Sequence, residues 1–131
     1  MIRTVLGVVA GLVLVGSSAM HSLLGWPQLG AQLARTNAPP ELVRGLAIGW
    51  HFAGASMLAF GVLVLWTFSA RRRGRAVSRV PALVVALLYL LFGVGALAAS
   101  GMEPFFLIFV VPGLMVLAAA WERGAGAGAE R

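Results

Sequence analysis

From Pro81 to Ser100 the chain runs through twenty positions without a charged side chain, and only Tyr89 and Ser100 bring a hydroxyl. A helix of about 20 apolar residues spans the ~30 Å hydrocarbon layer of a bilayer, so this run reads as a membrane span. Three more runs share its character, placing helices at about 2–25, 42–68, 81–100 and 104–121. Strands are excluded because the runs lack period-two alternation and are rich in Leu, Ala and Gly. Composition agrees: 60% of the 131 residues are hydrophobic and 11% charged, too few to clothe a water-soluble domain. The expected fold class is an all-α integral membrane protein, a left-handed four-transmembrane-helix bundle forming one domain over 1–121. Residues 122–131, "ERGAGAGAER", are expected to be a disordered tail. The first run is read as a retained helix, since only Arg3 precedes a stretch long for a cleaved signal.

Arginine sets the orientation. All ten basic residues are Arg, and with four spans Arg3, Arg71, Arg72, Arg73, Arg75, Arg79, Arg123 and Arg131 share one side. Only Arg35 and Arg44 face the other, so both termini are expected in the cytoplasm. Trp26 and Trp50 then fall near the outer boundary and Trp66 and Trp121 near the inner one, as an interfacial belt requires. The net charge of +6 is a topology signal in this setting, with five arginines in "RRRGRAVSR", and nucleic acid is not an expected partner. Gly101-Met102-Glu103 forms a tight outer turn, making the third and fourth spans antiparallel neighbours. In the longer first outer loop, Leu29 and Leu33 beside Gln28, Gln32 and Arg35 predict a short interfacial helical segment.

At 100° per residue, Gly7, Gly11, Leu14, Ser18, His21, Ser22 and Gly25 share one arc of the first helix. Arg44, Ala47, His51, Gly54, Leu58 and Gly61 share an arc of the second, whose opposite face carries Gly45, Gly49 and Ser56. Ala82, Ala86, Tyr89, Gly93, Ala96 and Ser100 align on the third. Stripes of small and polar residues let helix backbones approach closely in lipid, so these faces are expected to pack inward.

His21 and His51 fall at matched depth near the outer surface, where Glu103 and Arg44 also converge. An ionisable residue within a span suggests a function by default. Three uses fit. Neutral imidazoles can ligate a haem b from facing helices, with Ser18, Gly25 and Gly54 making room and Arg44 pairing with a propionate. His21, His51 and Glu103 form a two-histidine, one-carboxylate set for a transition-metal ion, to which Met20 and Met102 can add soft sulfur. A small-ligand or proton-linked pocket is the third, and the Pro112-Gly113 pair in the fourth helix would help to shape it. The plainer reading makes each histidine a hydrogen-bonding contact between helices, contributing about 0.6 kcal/mol.

Other classes are poorly served. Cysteine is absent, which removes disulfides, thiolate metal sites and cysteine nucleophiles. No phosphate loop, nucleophile elbow or carboxylate pair appears, so no catalytic residue is assigned. The opposing reading is a non-catalytic accessory subunit of a larger membrane complex, and a third is a small proton-linked carrier acting as a homo-oligomer, for which Gly7 and Gly11 offer a contact. In outline the chain resembles small four-helix proteins of bacterial inner membranes, and its Lys-free, Ala/Gly/Arg-rich composition suggests a GC-rich bacterial genome.

Overall fold

The computed structural model describes residues 2–121; the expected tail, 122–131, lies outside the described residues. The chain forms α1 (Ile2–Met20), a π-helical turn (His21–Gly25), α2 (Trp26–Arg35), α3 (Pro40–Arg72), α4 (Val80–Ala99), a 3-10 turn (Pro104–Phe106) and α5 (Leu107–Ala120). No strand occurs among the described residues. Three helical runs, Ile2–Arg35, Pro40–Arg72 and Val80–Ala99, are long and apolar enough to cross a membrane, and Pro104–Ala120 is a shorter apolar helix. The chain is a helical bundle of membrane-protein character.

The first run differs from the sequence expectation. α2 does not begin a separate surface segment; it continues the same helical run from α1 through the π turn. Pro27 gives the physical reason. It has no N–H for the carbonyl of Leu23, one turn earlier, and a widened turn accommodates that loss where a regular helix would break.

The turns are built by hydrogen bonds that wrap the preceding helix ends. After α2, Ala38 N–H donates to the Leu33 carbonyl and Asn37 N–H to that of Ala34, with Asn37 at a φ of 51°. The same pair of bonds closes α3 around Gly74 (φ 77°) and α4 around Gly101 (φ 71°). This left-handed ending satisfies carbonyls the helix leaves open, and glycine adopts it without a Cβ penalty.

Packing is sequential across the bundle: α3 lies on α1, α1 on α5, and α5 on α4, while α3 and α4 meet lightly. Small residues make the α1–α3 seam tight. A Cβ on Gly11 would lie 2.8 Å from the Leu65 backbone, and one on Gly61 2.8 Å from the Val15 backbone nitrogen. Gly7 is covered by the Phe68 ring. In the α4–α5 hairpin, Gly93 lies against Val110 and Phe109, and Gly113 against Leu90 and Tyr89. Pro112 is buried beside Gly113, so this pair serves close helix contact. The core joins Leu14, Val64, Phe68, Val85, Tyr89 and Val116.

Two capping bonds fix the register. Arg3 Nη1 donates to the Trp121 carbonyl at 2.6 Å and Arg79 Nη1 to the Ala120 carbonyl at 3.4 Å, so these arginines cap the last turn of α5. Eighteen residues from Arg3 along the first run lies His21; seventeen back from Trp121 lies Pro104. At 1.5 Å per residue both climbs are about 26 Å, so His21 is level with the start of the α4–α5 hairpin's last segment. The fourteen residues from His21 to Arg35 therefore reach about 20 Å further. The end of the molecule away from Arg3 and Trp121 is an arm made of the π turn, α2 and the opening turns of α3, and neither the π turn nor α2 contains a buried residue.

Candidate functional site: an aromatic and histidine cluster at the base of the arm

Where the π turn meets α3, four rings gather. His21 stacks on Trp50 with centroids 4.3 Å apart and planes within 5°. The two residues also exchange hydrogen bonds through their backbones: His21 Nε2 lies 3.1 Å from the Trp50 carbonyl, and Trp50 Nε1 donates to the His21 carbonyl at 2.8 Å. The carbonyl can only accept, so His21 donates through Nε2. Trp26 meets two of the other three rings, with its centroid 6.3 Å from that of Trp50 and 5.7 Å from that of His51.

The π turn is what permits this. Its widened backbone leaves the His21 carbonyl reachable by an indole N–H on the neighbouring helix. α3 carries Trp50 and Gly54 on one side, one turn apart, and both face the first run: Trp50 covers Gly25, and Gly54 is filled by Ser22 with His21 beside it. Glycine at these two positions is what lets the rings approach.

The predicted site residues separate into three groups. Ser18 and Gly54 are buried in the α1–α3 seam, and His21 is half-buried against it. His51 is exposed, one residue around α3 from Trp50, and its ring contact is with Trp26. Arg44 and Glu103 are exposed, Arg44 on the arm and Glu103 in the turn before α5. Among the described residues no three of His, Cys, Asp and Glu come together as a metal-holding group, so His21, His51 and Glu103 are not assembled as a ligand set. The residues expected to hold a haem are engaged with one another. His21 uses Nε2 on Trp50, each histidine faces an indole, and the space beside Gly25 and Gly54 is filled by Trp50, Ser22 and His21.

The tryptophans are the residues the sequence reading placed as interfacial markers only. Their signal was present: Gly precedes Trp at both 25–26 and 49–50, and each pair lies beside a histidine-bearing turn. Comparison of the chain with protein-family models, with curated proteins and with solved structures finds no match.

Proposed function

We propose that this chain is a bacterial inner-membrane protein with four spans and cytoplasmic termini, acting as a non-catalytic accessory or structural subunit of a larger membrane assembly. The observation that carries the reading is the His21–Trp50 clamp. A histidine ring that donates to a helix carbonyl, stacks on an indole and receives that indole's N–H at its own backbone is engaged in joining helices. Its use there argues against a ligand on the same ring nitrogen. The arm is consistent with the same reading: Leu23, Ile48 and Phe52 are 72%, 68% and 73% exposed near its base, with no element among the described residues covering them. Apolar surface of this kind suits a companion helix.

The test is native electrophoresis of membranes solubilised in a mild detergent, with an absorption spectrum and elemental analysis of the purified protein. The chain should migrate within an assembly well above its own 13.7 kDa, with no Soret band and no stoichiometric metal. Migration as a lone chain refutes the subunit reading. A second reading, ligand binding through His51 and Trp26, draws support from the exposure of His51 beside an indole face. A Soret band or a metal lost in His51→Ala would favour it.

A further inference from the structure

At the end of the molecule that holds Arg3 and Trp121, the run "RRRGRAVSR" joins α3 to α4 and has no part in the clamp. Its one hydroxyl is Ser78. We propose that Ser78 is a phosphorylation site, the acceptor for an arginine-directed protein kinase that uses a nucleoside triphosphate. This rests on the reading that the termini, and with them this segment, face the cytoplasm, where such triphosphates are found.

Three observations lead there. The first is register. Arg73 and Arg75 stand five and three positions before Ser78, and no other serine or threonine of the chain has arginine at either distance. In extended backbone the side chains alternate, so these two arginines project to one side about 7 Å apart. Carboxylates lining an acceptor cleft can read such a pair. The second is backbone. Residues 75–78 belong to no helix, and α4 starts at Val80. Gly74, between the two arginines, has a φ of 77°; with no Cβ it passes to the extended form without penalty. Bonds from Arg75 N–H to the Ala70 carbonyl and from Arg71 Nη1 to the Val77 carbonyl tie the segment back, so drawing it into a cleft loosens a helix end and unwinds no helix. The third is access. Arg73, Arg75 and Ser78 are all exposed. Ser78 Oγ accepts the Val80 N–H at 3.2 Å, and a phosphate ester there still offers oxygens to that N–H.

In the transfer, Ser78 Oγ attacks the γ-phosphorus of the triphosphate. The Oγ–P bond forms as the bond from that phosphorus to the bridging β,γ-oxygen breaks. A nucleoside diphosphate leaves, and the hydroxyl proton passes to a carboxylate of the kinase. The ester adds about −1.5 to −2 charges at pH 7 to a run that carries five arginines. A basic segment is attracted to an anionic leaflet, and phosphate within it weakens that attraction. The modification is thus a charge switch at the inner surface.

The experiment incubates the full-length protein, in detergent micelles, with a purified arginine-directed serine kinase and γ-labelled ATP, and locates the label by tandem mass spectrometry. Wild type should be labelled on Ser78. Ser78→Ala should lose the label and Ser78→Thr should keep it, now on threonine. Arg73→Gln/Arg75→Gln should slow labelling about tenfold while leaving the hydroxyl in place. No label on the wild type, or equal labelling of Ser78→Ala, overturns the proposal. So does the absence of a Ser78 phosphopeptide from membranes of the source cells in both growth and starvation. Sealed vesicles separate the site from the topology it rests on. Kinase added outside should label inverted vesicles; labelling of right-side-out vesicles alone would refute the cytoplasmic placement, and the proposal with it, even where the micelle result stands.

Discussion

The His21–Trp50 clamp gives the most direct way to separate a structural histidine from a ligand. His21→Ala removes a parallel ring stack and one hydrogen bond to the Trp50 carbonyl, while the indole bond to the residue-21 carbonyl can persist. Stacked aromatic pairs contribute about 0.5–1.5 kcal/mol beyond their area, and a side-chain hydrogen bond between membrane helices about 0.6 kcal/mol. The expected loss is therefore about 2 kcal/mol with the small void included, roughly a thirtyfold shift in the folding equilibrium. His21→Phe keeps the stack and loses only the hydrogen bond, so it should cost about 0.6 kcal/mol. The assay is unfolding in mixed micelles with rising SDS fraction, followed by circular dichroism. A double-mutant cycle with Trp50→Ala should give a coupling of about 1.5 kcal/mol. A coupling indistinguishable from zero, or a His21→Ala protein as stable as wild type, would refute a helix-joining role.

Two further changes test the packing. Gly11→Ala should destabilise by about 1–2 kcal/mol, because its Cβ would meet Leu65 backbone atoms at 2.8 Å that cannot rotate away. Gly49→Ala, with nothing within 4 Å, should instead be neutral or stabilising by up to about 1 kcal/mol; the same micelle titration reads both, and equal signs would contradict the seam. Tyr89→Phe should cost nothing or stabilise slightly, since the hydroxyl is buried without a hydrogen-bond partner among the described residues and its loss leaves no orphaned group behind. A loss above about 1 kcal/mol in that variant would mean that the hydroxyl is bonded in the bilayer.

Much of the packing was legible in the spacing of small residues. Gly7, Gly11, Leu14 and Ser18 were aligned by a 100° count, and all four are buried against α3 or the core. Ala82, Ala86, Tyr89 and Gly93 likewise lie on the buried face of α4, whereas Ala96 is half-buried and Ser100 exposed at the helix end. The count failed on α3. There Gly54 and Gly61 are buried, but Arg44, His51 and Leu58 on the same arc are exposed. The arc follows a 33-residue helix whose upper turns meet only α2 and the π turn, and lightly, as they rise past the shorter hairpin. Gly45 and Gly49, expected to touch a neighbour on the opposite face, have nothing within 4 Å for the same reason.

Hydrophobic run length by itself points to the class of this protein, a bundle of apolar helices, because lipid demands such helices whatever their arrangement. Which rings meet is another matter. A histidine's partner depends on how far each helix climbs and how one backbone turn widens, and Pro27 together with the unequal hairpins decides both. Only the folded chain could reveal that His21 is joined to an indole across the seam while His51 faces another.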